Sequence, residues 1–187
     1  GIKPEHFTRV LRSDPARKGL LYAGTESGLY VSYDDGESWS SFQKNLPIVP
    51  ITDITIKDNS LIVATQGRGI WILDDLTVLH QINDSTVNNQ INLFAPKDSY
   101  RMRGSGGKSS KTAGTNIENG VIVYYNIKNY DSSKDSISLS FSTSEGNLIK
   151  TFSNHDKVNI LKVNKGSNKF VWDTKHDGAE ILDGMIF

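Results

Sequence analysis

The chain is predicted to be all-β, and three observations lead to this prediction. Apolar and β-branched residues occur in short runs that are separated by glycine, asparagine, aspartate and proline, as in strands joined by turns. A segment of about forty residues occurs twice. No stretch of comparable length shows the apolar spacing of an amphipathic helix.

The repeat has a period of 41 residues. The matching segments are Leu20–Ala23 with Leu61–Ala64, Gly28–Val31 with Gly69–Ile72, and Asp34 with Asp75 (61 − 20, 69 − 28 and 75 − 34). A period of roughly 40–45 residues is typical of the four-stranded blades of a β-propeller. The sequence therefore predicts two such blades within residues 1–85.

Four strands are predicted in each repeat. In the first repeat they are Phe7–Leu11, Leu20–Gly24, Gly28–Tyr33 and Trp39–Gln43. In the second repeat they are Ile51–Ile56, Leu61–Thr65, Gly69–Leu73 and Thr77–Gln81. Turn-forming residues lie between these strands, so each repeat is expected to be an antiparallel meander.

One turn carries a well-defined motif, S-x-D-x-G-x-[ST]-W. Its fixed positions are Ser32, Asp34, Gly36, Ser38 and Trp39. A short carboxylate such as that of Asp34 accepts backbone N–H bonds across a tight turn, and Gly36 supplies the positive φ that other residues resist. The ring of Trp39 is expected to lie beneath the turn at the start of the next strand. A structural role is therefore predicted for all five residues.

The motif resembles the Asp-box of BNR (bacterial neuraminidase-like) repeats, which occur in sialidases, sortilin-like proteins and related propellers. The resemblance extends from Phe7 to about Gln81. It implies a hairpin-stabilising role at the outer rim of a blade, further blades of the parent chain as partners, and an extracytoplasmic location. The second repeat lacks the box, because Leu76-Thr77-Val78 follows Asp75 with neither glycine nor tryptophan in register.

Residues 86–117 are predicted to form a linker. Ile91–Phe94 and Ser99–Met102 are short packed or strand segments within it, and a flexible Gly/Ser/Lys loop surrounds Gly104–Ser109. This loop is not a phosphate-binding loop, because Met102 occupies the position where that motif requires its first glycine.

Residues 118–187 are predicted to form an incomplete immunoglobulin-like sandwich. Its strands are Val121–Tyr125, Ile137–Phe141, Asn147–Phe152 and Asn168–Asp173. The last segment is similar to the N-x-F-x-W-[DN] strand in the C-terminal sandwich of bacterial BNR proteins. The sequence stops at Gly184–Phe187 in the middle of an apolar pattern, from which a truncated sandwich is expected.

Composition excludes several classes of partner and site. Lysine plus arginine and aspartate plus glutamate both number 21, and this balance argues against nucleic acid or anionic membrane as the main partner. No apolar run is long enough to cross a bilayer, and the first residues, Gly1–His6, do not have the pattern expected of a targeting segment. Cysteine is absent and the four histidines are isolated, so neither a metal site nor a cofactor is predicted.

Three residues are candidate contacts for a carbohydrate: Arg68, Trp71 and Tyr30. An arginine can bind a carboxylate or a sugar hydroxyl, and aromatic rings can stack on sugar faces. The alternative is that Arg68 pairs with an acid of a neighbouring blade and that both rings pack in the core, and the sequence favours this alternative. No catalytic residue is predicted, because the adjacent carboxylates Asp74 and Asp75 would point to opposite faces of a strand.

Three hypotheses for function follow. The first is a non-catalytic structural or binding segment of a BNR-repeat propeller protein, because every well-formed motif has a structural explanation. The second is a contribution of two blades to the carbohydrate site of a glycoside hydrolase, which leaves enzyme activity of the parent protein open. The third is the binding of a protein or peptide, as in sortilin-like receptors, through an exposed apolar patch or strand edge.

Overall fold

The computed structural model describes residues 1–100 and 117–176, which belong to two compact units, Gly1–Ile82 and Asn83–Phe187. Both units are built from antiparallel sheets, so the all-β prediction is confirmed. The Gly104–Ser109 loop and the chain end Gly184–Phe187 lie outside the described residues. Within the described ranges, neither helix has the length and apolar character needed to span a membrane.

The first unit contains two sheets. The first sheet is formed, in spatial order, by β1 (Thr8–Ser13), β2 (Leu21–Thr25), β3 (Gly28–Ser32) and β4 (Ser40–Ser41). The second sheet is formed by β5 (Ile51–Lys57), β6 (Ser60–Thr65) and β7 (Ile70–Leu73). Seven of the eight strands predicted for the two repeats are therefore present, although β4 is shorter than the predicted strand.

The prediction of an eighth strand at Thr77–Gln81 is wrong, because these residues form a helix, α1 (Thr77–Gln81). The second repeat is thus a three-stranded sheet followed by a helix. Leu76 and Leu79 are buried three positions apart, a spacing that places both side chains on one face of a helix. The Asp75 carboxylate accepts the backbone N–H of Thr77 at 3.0 Å and so closes the turn that leads into the helix.

A single apolar core lies between the two sheets of this unit. Corresponding positions of the two repeats contribute to it in pairs: Leu20 and Leu61, Tyr22 and Val63, and Val10 and Ile51. All six side chains are buried, and full burial of a large apolar side chain contributes about 2 kcal/mol to folding. Strands β1 and β2 therefore bury the same faces as their counterparts β5 and β6.

The two repeats differ by one residue in the register of their central hairpins. Tyr30 lies opposite Ala23, whereas its counterpart Trp71 lies opposite Val63 rather than Ala64. Because successive side chains of a strand point to opposite faces, this shift exchanges the two faces of β7. Trp71 packs against the core, and Ile70 and Ile72 are 69% and 57% exposed on the other face.

The second unit begins with helix α2 (Asp84–Asn88). It continues with β8 (Ile91–Leu93), β9 (Val121–Ile127), β10 (Ser138–Ser142), β11 (Leu148–Ser153) and β12 (Gly166–Trp172). One sheet has the order β12-β9-β8 and the other pairs β10 with β11. The short segment predicted at Ile91–Phe94 is present as β8, but it pairs with β9, so these residues belong to a sheet and not to the linker predicted over residues 86–117. A short polar capping box between Asn83 and Thr86 starts α2, a helix that was not predicted.

Aromatic rings join the two sheets of the second unit. Phe141 of β10 lies 4.4 Å from Trp172 of β12, and Phe152 of β11 lies 4.6 Å from Phe170, measured between ring centroids. The buried side chains of Val123, Tyr125 and Ile127, at alternate positions of β9, lie on the same inner face. The four strands predicted in residues 118–187 are thus present, and they pack as two layers.

The polar residue Asn168 lies on the buried face of β12, where its hydrogen bonds account for its presence. Its side-chain amide donates to the carbonyls of Asn164 and Gly166, both at 2.8 Å, and its oxygen accepts the Asn164 N–H at 2.8 Å. The side chain is only 7% exposed, so these bonds satisfy a polar group that would otherwise be costly to bury. It fixes the loop that leads into the strand.

Candidate functional site

Residues Ser32–Trp39, hereafter the Asp34 turn, form a dense network of hydrogen bonds. One Asp34 oxygen accepts from the Ser32 hydroxyl at 2.7 Å and from the Ser38 N–H at 2.9 Å, and the other accepts from the Ser38 hydroxyl. The Ser32 hydroxyl in turn accepts the N–H of Gly36 at 2.9 Å. One Asp34 oxygen and the Ser32 hydroxyl therefore each accept a backbone N–H from four positions later in the chain.

Gly36 and Trp39 complete the Asp34 turn. Gly36 has a φ of 96°, in the left-handed region that glycine adopts without steric cost. The indole N–H of Trp39 donates to the Gly36 carbonyl at 3.0 Å, and the half-buried ring lies beside the turn. All five motif residues thus contact one another within a single hairpin connection.

Hydrogen bonds from the Ser38 hydroxyl and N–H, followed by that from Ser32, lower the pKa of Asp34 to about 2. A lowered folded-state pKa contributes stability above the unfolded value of about 3.9, and this contribution is lost as the pH falls through the folded value. We expect Asp34→Asn to lower the melting temperature near neutral pH. The difference from wild type should shrink between about pH 4 and about pH 2. Thermal unfolding across this range measures it, and a difference independent of pH would contradict the role assigned to the carboxylate.

The three candidate carbohydrate contacts do not form one surface. Tyr30 is 5% exposed, and its hydroxyl shares a 2.9 Å hydrogen bond with Nδ1 of His6. Trp71 faces the core on a different sheet, and its indole N–H donates to the Arg68 carbonyl at 3.0 Å. Only Arg68 is exposed, and its guanidinium contacts no described residue through a hydrogen bond or ion pair. The structural alternative for the two aromatic rings therefore accounts for their positions.

The carboxylate pair Asp74 and Asp75 is divided between two environments. Asp75 accepts from the Asn59 side chain at 3.1 Å and from the Thr77 N–H at 3.0 Å, whereas Asp74 is exposed. Asp75 therefore stabilises the start of α1. This arrangement agrees with the interpretation of the pair as carboxylates of a strand end and a turn.

A second polar network, centred on Asp14, was missed by sequence reasoning. The Asp14 side chain is fully buried and accepts four hydrogen bonds. Two come from the backbone N–H groups of Ala16 and Arg17, at 2.8 and 3.1 Å. The others come from the Tyr22 hydroxyl at 3.1 Å and Nε2 of His80 at 3.0 Å. The network thus links the β1–β2 connection, strand β2 and helix α1.

Charge and burial act in opposite directions on Asp14. Burial raises its pKa, but the hydrogen bond from His80, the N–H of Ala16 and the remaining donors outweigh burial and hold the pKa below its ordinary value. Burial, and then the adjacent Asp14 carboxylate, raise the pKa of Tyr22, so its hydroxyl stays protonated and donates. The Arg17 guanidinium also donates to the Leu79 carbonyl and lies 5.1 Å from the ring centroid of Tyr33. These contacts hold α1 against the first sheet.

His80 looked isolated in the sequence because its partner lies 66 positions away. The one local signal was Asp14-Pro15, a turn dipeptide whose aspartate accepts the N–H two residues later. Within residues 1–100 and 117–176, no group of three or more His, Cys, Asp or Glu side chains is placed to hold a metal ion. The chain matches no protein-family model, no curated protein and no solved structure.

Proposed function

We propose that the chain is a non-catalytic structural or binding segment of an extracytoplasmic protein of the BNR-repeat type, in which further repeats form the other blades of a β-propeller. The Asp34 turn is the observation that carries this proposal. Both carboxylate oxygens of Asp34 accept hydrogen bonds from serine groups inside the hairpin. The carboxylate therefore has a structural role in the turn.

The other engaged carboxylates support a non-catalytic role. A glycoside hydrolase of the usual kind needs two carboxyl groups that face one glycosidic bond. Asp14 is buried among four donors, and Asp75 is bonded to Asn59 and Thr77. Neither carboxylate is oriented toward an open cleft by these contacts.

The exposed face of the β5-β6-β7 sheet supports the requirement for further repeats. Ile70 and Ile72 lie on the face opposite the core, and β7 is an edge strand among the described residues. In a propeller each sheet is covered on both faces by its neighbours. A further blade would therefore bury these two isoleucines.

Hydroxyl-radical footprinting tests this proposal by comparing the 187-residue chain with a longer natural chain that includes the neighbouring repeats. We expect Ile70 and Ile72 to react several-fold less in the longer chain, because a further sheet excludes water from them. Val158 in the second unit is 85% exposed and serves as the internal control. Equal reactivity of both isoleucines in the two chains would contradict the proposal.

Two alternative functions rest on single features. A carbohydrate site is favoured by the exposed side chain of Arg68, whose backbone carbonyl accepts the indole N–H of the partly exposed Trp71. Binding of a peptide is favoured by the open edge of β7, where an extended segment could add a strand. Glycan-array binding and hydrolysis with Arg68→Ala tests the first, since only a carbohydrate site there predicts a loss in the variant. Titration with extended peptides tests the second, because strand addition would protect the amides of β7 from hydrogen exchange.

A further inference from the structure

A polar cavity of about 270 Å³ lies at one end of the strands of the three-stranded sheet of the second unit. Gln90 precedes β8, Asn129 follows β9 and Lys165 precedes β12, and these three positions meet because β9 runs antiparallel to both neighbours. The turn after β9 closes the cavity. Its lining residues are Gln90, Asn129, Tyr130, Asp131, Asp135 and Lys165.

Hydrogen bonds fix one wall of the cavity. The Gln90 side-chain amide donates to the Asn129 carbonyl at 2.9 Å, and its oxygen accepts from the Asn129 side chain at 3.3 Å. The Gln90 carbonyl also accepts the Lys128 N–H at 2.8 Å, which extends the β8–β9 pairing to this wall. The amide groups are therefore held in place by the sheet.

The turn that follows β9 contains two aspartates, and one of their carboxylate oxygens has no partner among the described residues. The Asp131 carboxylate is engaged by Ser133 and by the Lys134 ammonium, the latter at 3.4 Å. Asp135 accepts the Asp131 N–H at 2.8 Å through Oδ2 only. Its Oδ1 makes no hydrogen bond with a described residue and can accept from a ligand.

Two donors accompany this acceptor. The Tyr130 hydroxyl accepts from the Asn154 amide at 3.1 Å, so its own proton remains available for donation. The Lys165 ammonium forms no hydrogen bond or ion pair with the described residues. The cavity thus combines an acceptor and donors whose hydrogen-bonding capacity the fold does not use.

The charges of the lining groups cancel once Lys134, which lies outside the lining, is counted with its partner Asp131. Lys134 is paired with Asp131, and the remaining carboxylate and ammonium, from Asp135 and Lys165, are opposite in sign. No aliphatic side chain lines the cavity, in contrast to a second cavity of about 150 Å³ in the same unit that is lined largely by isoleucine and leucine. A charged ligand would leave one of the two groups uncompensated, and an apolar ligand would leave all of them unpaired.

We propose that this cavity binds a neutral sugar unit. A sugar unit carries several hydroxyl groups, each of which both donates and accepts, so it offers partners of both kinds to Asp135 Oδ1, Tyr130 and Lys165. The proposal rests on the second unit alone and does not depend on the proposed function of the repeats. It places carbohydrate recognition away from Arg68, Trp71 and Tyr30.

Titration of the ¹⁵N-labelled 187-residue chain, followed by amide chemical shifts, tests the proposal. The probes are glucose, galactose and N-acetylglucosamine, with cationic glucosamine and anionic glucuronate as charged counterparts. We expect saturable shifts at the amides of Gln90, Asn129 and Asp131 with at least one neutral sugar, and roughly tenfold weaker binding of the charged probes. An absence of saturable shifts with all three neutral sugars, or tighter binding of a charged probe, would overturn it.

Three variants locate the binding groups. Asp135→Asn keeps an oxygen for the Asp131 N–H but removes the charge, and Lys165→Gln removes the ammonium at similar length. Each is expected to weaken sugar binding about tenfold, the effect of losing one hydrogen bond to a charged group. Lys157→Gln changes an exposed lysine of the same unit outside the cavity and should bind as wild type. An equal loss in Lys157→Gln, or no loss in the other two, would contradict the assignment.

Discussion

Replacing Asp14 by alanine is expected to lower the free energy of unfolding of the first unit by about 3 kcal/mol. The substitution leaves the buried hydroxyl of Tyr22 and the part-buried N–H groups of Ala16 and Arg17 without their acceptor. It also removes the partner that anchors His80, and with it α1, to the first sheet. Urea unfolding followed by the amide signals of β2 and α1 measures the change.

Asp14→Asn is the matched control, because it preserves shape and one acceptor oxygen. That oxygen can still accept from Ala16 and Arg17, and the amide can donate to His80 or Tyr22. We expect a loss of only about 1 kcal/mol. If alanine and asparagine destabilised the unit equally, the four hydrogen bonds would not be the source of the effect.

Hydrogen exchange gives a second measurement of the effect of Asp14→Ala on α1. In Asp14→Ala we expect the α1 amides to exchange much faster than those of β6, because the helix has five residues and depends on tertiary contacts. Unchanged protection in α1 would show that Leu76 and Leu79 hold the helix without help from the polar network.

Local signals account for what the sequence predicted well. The strands of both units follow runs of β-branched and aromatic residues, and the Asp34 turn is encoded within eight consecutive positions, Ser32–Trp39. A hairpin and its turn need only neighbouring residues, so periodicity and turn chemistry are sufficient to find them.

The helix α1 shows where repeat matching fails. Thr77–Gln81 occupies the position of a fourth strand, and its β-branched residues favour that interpretation. The structure instead buries Leu76 and Leu79 together and ties His80 to Asp14. These contacts come from distant parts of the chain, and tertiary packing overrides the local preference.

The pairing register of β6 with β7 could not be predicted from the repeat either. Matching at a period of 41 aligns Trp71 with Tyr30 and thereby predicts the same environment for both rings. The β2–β3 connection has Thr25 opposite Gly28, whereas in the β6–β7 connection Thr65 bonds to Gly69 across a loop that is one residue longer. A one-residue difference in a loop reverses the faces of the following strand, which periodicity within that strand does not reveal.

The polar cavity of the second unit combines residues that no motif connects. Gln90 and Asn129 are 39 positions apart and become neighbours only through the pairing of β8 with β9. Gln90 directly precedes the short segment Ile91–Phe94 that the sequence predicts within the linker, but nothing in the sequence indicates that this segment pairs with β9. The cavity follows from sheet topology, and isolated polar residues give no sequence signal for it.

Gly120→Ala is expected to lower the free energy of unfolding of the second unit by about 3 kcal/mol or more. Gly120 immediately precedes β9 and has a φ of 130°, a conformation that residues with a side chain rarely adopt. An added methyl group would also collide with the backbone carbonyl of Trp172, whose strand pairs with β9. Because this obstacle is backbone, it cannot move aside without disturbing the first pair of the β9–β12 ladder.

Gly146→Ala separates backbone strain from this collision. Gly146 has a φ of 86° in the β10–β11 connection, and an added methyl group would meet no atom within 4 Å. Its replacement by alanine should therefore lower the free energy of unfolding by only about 1 kcal/mol, which is the cost of the positive φ alone. Chemical denaturation followed by the amide signals of β9 and β12 compares the two variants. If both cost the same, the close approach of Gly120 to Trp172 would contribute nothing, and the β9–β12 ladder would tolerate a side chain at its first position.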